Sequence, residues 1–145
     1  MKILVLNGPN LNMLGRRSVK HYGVLTLIDI KKLLVNLAQE LGVKLVFFQS
    51  NHEGALVDAI QKYRGKVDGI MINPGALTHY GYSLRDSLED AKVPVVETHL
   101  SDITKREAFR KKDVLTGIVV DRIMGLKEQS YLVGLKKLIK HIKKL

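Results

Sequence analysis

Lys2-Ile-Leu-Val-Leu-Asn-Gly-Pro-Asn-Leu-Asn-Met-Leu-Gly-Arg-Arg17 is the stretch from which the fold can be read. It opens as an unbroken apolar run, Ile3 to Leu6, of strand length, the mark of a strand buried on both faces in a parallel sheet. The run stops at Asn7-Gly8-Pro9-Asn10, four residues that favour turns for different backbone reasons. A buried strand feeding a polar turn is where open α/β sheets place their ligands. The chain then continues through Gly15-Arg16-Arg17 to Tyr22-Gly23 before the first clear helical pattern. That gap is long for a strand-to-helix connection, and long ordered loops commonly serve as lids or binding loops.

Working outward, the same unit recurs. Thr26 can cap a helix to about Leu41, with Leu27, Ile30, Leu34, Leu37 and Leu41 on one stripe and Gly42 as the stop. Val43 to Phe48 is a second strand, ending in Gln49-Ser-Asn-His-Glu-Gly54, and a helix follows to Gly65. Val67 to Ile72 is a third strand, breaking at Asn73-Pro-Gly-Ala-Leu-Thr-His79, and the helix from Ser83 to Ala91 comes next. Val93 to Val96 is a fourth, reaching Glu97-Thr-His-Leu-Ser-Asp102 and a short helix over Thr104 to Arg110. For the fifth strand, propensity prefers Leu115 to Val120, with Arg122 to Leu126 as the alternative, and Gln129 to Lys144 closes the chain as a helix. Alternation this regular, without repeats or linkers, predicts one domain over residues 1–145. Its fold class is α/β, a flavodoxin-like, five-stranded parallel sheet with helices on both faces.

At 145 residues the chain is long enough for a real core, and it contains no cysteine, which argues against disulfides and thiolate metal sites. No apolar run approaches the ~20 residues of a membrane span and no signal-peptide pattern is visible, so a cytoplasmic location is expected. The 24 Lys and Arg against 14 Asp and Glu give a net charge of +10, which favours anionic ligands and raises the alternative of a nucleic-acid-binding module. Interleaved aromatics and a nucleic-acid motif are lacking, however, and much of the charge lies at Lys136, Lys137, Lys140, Lys143 and Lys144, on the polar side of the last helix. No nucleic-acid or membrane partner is expected.

In such a sheet the residues just after each strand converge on one edge. Here they are Asn7 and Asn10, then Gln49, Asn51 and His52, then Asn73 and His79, then Glu97, His99 and Ser101. Amides and imidazoles both donate and accept hydrogen bonds, so this edge suits a small hydroxyl-rich ligand. The glycines match neither a dinucleotide fingerprint nor a P-loop. No two histidines sit at a close ligand spacing with a carboxylate, so no metal is expected. Arg17 and Tyr22 add a second feature. A phenol is a poor base near neutral pH unless a neighbouring cation favours its anion. A loop bearing both residues can therefore place a tyrosinate against a carbon acid, although the spacing equally suits a tyrosine that anchors the loop.

Asn7-Gly-Pro-Asn-Leu-Asn with Gly15 and Arg17, Tyr22-Gly23, Gln49 to Gly54, Asn73 to His79, Arg85-Asp86, Glu97 to Ser101 and Arg106-Glu-Ala-Phe-Arg110 together resemble type II 3-dehydroquinate dehydratase, in order and in register from about Lys2 to Tyr131. The resemblance implies a cofactor-free lyase of the shikimate pathway that removes water from 3-dehydroquinate to give 3-dehydroshikimate. It implies assembly as a dodecamer built from trimers. By position, Tyr22 matches the general base, Arg17 the group that activates it, Asn10 the residue that helps stabilise an enolate through a held water, and His99 the general acid. Asn73, His79, Arg110, the backbone of Leu100 and Ser101, and Asp86 from a neighbouring subunit match the substrate-binding set.

Three departures from the family pattern stand out. Ser18-Val19 replace a Glu-Pro after the loop arginine, and loss of the proline is expected to loosen the lid. Asp102 stands where Asn is usual, adding negative charge near a carboxylate pocket. Arg122, Lys127 and Glu128 interrupt a glycine-rich segment before the last helix, which puts the packing of the fifth strand in question.

Overall fold

The computed structural model describes residues 1–145. Five parallel strands, β1 (Lys2–Asn7), β2 (Lys44–Gln49), β3 (Gly69–Asn73), β4 (Val95–His99) and β5 (Asp121–Met124), lie in the order β2-β1-β3-β4-β5. This is the flavodoxin-like order, with a switch point between β1 and β3. The register pairs Asn7 with both Gln49 and Asn73, so three amide-bearing strand ends reach one edge at the same level. Helices α1 (Val19–Tyr22), α2 (Leu27–Leu41), α3 (Glu53–Tyr63), α4 (Tyr82–Asp90) and α5 (Gln129–Ile142) complete the domain.

The period-2 geometry of β1 divides the core. Leu4 and Leu6 pack with Leu56, Ile60, Leu84 and Leu88 of α3 and α4. Ile3 and Val5 pack with Ile30 and Leu34 of α2 and Leu135 and Leu138 of α5 on the other face. Helix α2 begins in a reciprocal capping box, in which Thr26 Oγ1 accepts from the Asp29 N–H at 3.1 Å and Asp29 accepts from the Thr26 N–H at 3.0 Å. It ends on Gly42 in the left-handed region.

Three boundaries differ from the sequence reading. The fifth strand is Asp121–Met124, close to the alternative and not the propensity-preferred Leu115 to Val120. Leu115 instead lies fully buried in a turn closed by the Ile118 N–H on its carbonyl, and Gly117 turns the chain at φ +91°. β4 runs through Glu97 to His99 where the apolar pattern ends at Val96, because its polar side chains find partners inside the protein. The single helix over Thr104 to Arg110 is two 3₁₀ turns, Ile103–Lys105 and Ala108–Lys111. Asp102 caps the first through Thr104, and the extended backbone of Arg106 separates them.

Candidate active site

Two turns cross at the switch point, and two glycines permit it. A Cβ on Gly8 would sit 2.4 Å from the Pro74 carbonyl oxygen, and one on Gly75 (φ +59°) would sit 2.9 Å from that of Pro9. Asn10 takes the left-handed conformation at φ 68°. Its backbone N–H donates to Asn51 Oδ1 at 3.0 Å, while Gln49 Nε2 donates to the same oxygen at 3.1 Å and to the Gly8 carbonyl at 3.3 Å. Gln49 and Asn51, gathered from sequence as edge residues, thus brace the turn that presents Asn10. His52 is exposed and forms no part of the cleft wall.

Beyond this turn lies a polar cleft of about 120 Å³. Asn10, Arg17, Tyr22, Asn73, His79, His99, Leu100, Ser101 and Arg110, nine of the ten residues expected at the site, line it, joined by Arg106. The chain between β1 and α2 forms one wall, with α1 carrying Tyr22. The Arg17 guanidinium stacks on the Tyr22 ring, 3.8 Å from its centroid, and does not bond the hydroxyl. Arg106 Nη1 bonds the phenol oxygen at 2.9 Å and donates to Ser101 Oγ at 3.2 Å. Two cations therefore bracket the phenol, one on the ring and one on the oxygen. Arg106 Nε is buried without a hydrogen-bond partner, Glu107 being too far at 3.7 Å. Its motif was visible in the sequence, but only the break between the 3₁₀ turns directs Arg106 to the cleft.

The other catalytic candidate comes from β4. Glu97 and His99, two apart on a strand, share a face, and His99 Nε2 lies 2.7 Å from Glu97 Oε1. That strand spacing is the signal from which the pair is legible. Glu97 is wholly buried, and its carboxylate also accepts from Thr78 Oγ1 at 2.6 Å and Arg122 Nε at 2.8 Å. Burial pushes the carboxyl up, but the bonds from His99 and Thr78 and the charges of His99 and Arg122 outweigh it and hold it down at about 2. With Glu97 ionised, Nε2 is the protonated nitrogen that donates, leaving Nδ1 without a protein partner.

The remaining residues supply donors and fixed orientations. Asn73 Nδ2 donates to the Tyr131 hydroxyl at 2.9 Å, which donates to Asn7 Oδ1 at 2.6 Å, while Asn73 Oδ1 accepts from the Gly75 N–H at 3.1 Å. One donor and one acceptor position of that amide stay free. Tyr131, fully buried, enters the sequence reading only as the end of the family resemblance. Burial raises its phenol well above the ordinary range, so it serves as a neutral donor. His79 Nδ1 donates to the Lys112 carbonyl at 2.6 Å, which fixes the ring tautomer. The N–H groups of Leu100 and Ser101 donate to nothing in the chain, and Arg110 is paired with Glu107 at 2.6 Å. Asp86 is the exception among the expected residues: it is exposed on α4 and absent from the wall of its own chain's cleft.

A larger cavity of about 330 Å³ lies against α2, lined largely by apolar side chains such as Leu27, Ile28, Leu34 and Phe47, with Lys31 and the buried Tyr131 as its titratable groups and no histidine or carboxylate. Glu97, His99 and Asp113 offer ligand atoms within 4.8 Å of one another, but the Arg122 guanidinium already stands between the two carboxylates as their cation. No helix is long and apolar enough to cross a membrane.

The family model for class II dehydroquinase matches residues 1–139. The 3-dehydroquinate dehydratase of Geotalea daltonii is 51% identical over 144 residues, covering 99% of this chain and 100% of that one. That of Herpetosiphon aurantiacus is 52% identical over 135 residues, covering 93% and 94%. Among solved structures, the type II dehydroquinase of Butyrivibrio crossotus superposes with a TM-score of 0.93 at 38% identity, over 96% of this chain and 97% of the other. With match and cleft geometry in agreement, this chain belongs to the class II dehydroquinases.

Proposed function

We propose that the chain is a 3-dehydroquinate dehydratase, removing water from 3-dehydroquinate to give 3-dehydroshikimate in the shikimate pathway. The observation that carries this reading is the pairing, in one cleft, of a phenol bracketed by two guanidiniums with an imidazole held by a buried carboxylate. The leaving hydroxyl on C1 is β to the C3 ketone, so loss of the C2 proton yields an enolate. Tyr22, as phenolate, takes that proton, with Arg106 and Arg17 placed where its own charge must be balanced. Asn10 stabilises the enolate oxygen through a held water, the kind of preorganised donor that commonly carries much of such catalysis. His99 then gives a proton from Nδ1 to the C1 hydroxyl, the C1–O bond breaks, and the enolate electron pair forms the C1–C2 double bond conjugated to the ketone. The proton left on Tyr22 returns through solvent to His99 between turnovers. Base and acid on separate elements each contribute about 10²–10⁴-fold.

The free N–H groups of Leu100 and Ser101, with Asn73, His79 and Arg110, bind the substrate carboxylate and hydroxyls. No lysine lines the cleft to form an imine, and the enolate route itself calls on no cofactor. Asp86 completes the cleft of a neighbouring subunit in a trimer, and four trimers make the dodecamer; its exposure and lack of partners within its own chain support this. The enzyme acts in the cytoplasm. The test is purified protein with 3-dehydroquinate, followed by the ultraviolet absorbance of the conjugated product. Absence of turnover, abolition by chelator, or an adduct trapped on lysine by borohydride would overturn the reading.

A further inference from the structure

Glu97 is wholly buried and has a donor on each face of its carboxylate: Thr78 and His99 on Oε1, Arg122 Nε on Oε2 at 2.8 Å. Arg122 is itself held, by a bond from Nη2 to Thr116 Oγ1 at 3.1 Å and by Asp113, whose Oδ2 is 2.7 Å from Nη2. Asp113 Oδ2 has no aligned hydrogen bond, so this second contact is one of charge. Arg122 sits on the edge strand β5 with no place on the cleft wall, and its register partner across the sheet is Glu97 itself. A carboxylate removed from water and left with a single cation, the imidazolium of His99, can neutralise itself by taking that proton. The proton would then move from His99 Nε2 to Glu97 Oε1, leaving a neutral imidazole whose remaining Nδ1–H is a far weaker acid toward the leaving hydroxyl.

We propose that Arg122 is a positioning residue for the elimination step, supplying the second cation that keeps Glu97 ionised and the proton on the His99 ring, with Nε2 on the carboxylate and Nδ1 toward the substrate. This rests on the assignment of His99 as the acid. Arg122 does not touch the elements that carry Tyr22, so abstraction of the C2 proton is independent of it.

The two steps can be read separately. In D₂O, enolate formation and return incorporates deuterium at C2 of unconverted 3-dehydroquinate, followed by mass spectrometry, while elimination is followed by absorbance. Arg122→Gln is expected to lose about 10- to 100-fold in product formation, part of what a positioned acid supplies, while C2 exchange falls no more than a few-fold. Arg122→Lys restores the charge without the fork and should show a smaller excess of exchange over elimination, which carries the test if Arg122→Gln does not fold. His99→Gln should show the largest excess. Exchange and elimination falling in parallel in the Arg122 variants, or unchanged product formation, refutes the proposal while a partitioned His99→Gln leaves the acid assignment standing. A His99→Gln enzyme that slows both steps equally removes the acid assignment itself.

Discussion

Lys127 ties the wall that carries Tyr22 to the wall that binds substrate. Its Nζ donates to the carbonyl of Val19 at 3.3 Å and to that of Lys20, both in α1, while its backbone N–H donates to the Leu100 carbonyl at 3.0 Å. It does so from φ +53°, where a residue with a Cβ is strained and glycine is at ease. Lys127→Met keeps the stem and removes the donors. Hydrogen bonds from a charged group are worth about 1.5–3 kcal/mol, and a half-buried lysine gives back up to ~2 kcal/mol in rotamer entropy. The net loss for two bonds is about 1–4 kcal/mol, which at 1.4 kcal/mol per tenfold is a rise in KM of roughly 5-fold to several hundred-fold. Once closed, the lid presents the same groups, so kcat should change less than about threefold. Substrate kinetics, with hydrogen exchange of the amides of residues 18–23, measure both ends. Val19→Pro should offset part of the loss. Val19 is the first helical residue, and Ser18 before it already has ψ 115°, as a pre-proline residue requires. Stiffening the open lid this way is worth about 0.4–1 kcal/mol. Unchanged KM together with unchanged exchange in Lys127→Met would refute the latch.

Other outcomes follow from the same contacts. Against the push of burial, the carboxyl of Glu97 is held below the usual carboxylate range by its bonds from His99 and Thr78 and by the charge of Arg122, so its stabilisation is present above about pH 4.5 and is lost as pH falls toward 2. Glu97→Gln should flatten urea-measured stability across that window, and an equally steep acid limb would count against the assignment. Tyr131→Phe strands Asn7 Oδ1 and Asn73 Nδ2 in a fully buried position and should cost about 1–3 kcal/mol in denaturant unfolding. Tyr22→Phe should mainly lower kcat, and near-normal kcat would exclude Tyr22 as the base. Mixing inactive Asp86→Ala with inactive Tyr22→Phe subunits should recover activity if sites are shared, whereas no recovery after proven exchange would place the whole site within one chain.

The strand–helix alternation, the β1 turn and the polar residues at the strand ends were legible in the sequence, because each depends on local pattern: apolar runs of strand length, stripes at helical spacing, turn residues at strand ends; Leu100 and Arg110 were expected only from the family resemblance. Their convergence followed from the topology of a parallel sheet alone. What tertiary structure decided were partners distant along the chain. Arg106 bonds the Tyr22 hydroxyl across 84 positions, and Tyr131 bonds Asn7 across 124, so no local pattern records either contact. The fifth strand went to Asp121–Met124 against propensity for the same reason. Arg122 is a poor strand residue until buried Glu97 stands beside it, and Leu115 a good one until the core between α3 and α4 claims it. The lid shows both at once: Ser18-Val19 announce a looser loop, and only the folded chain brings Lys127 back to hold it.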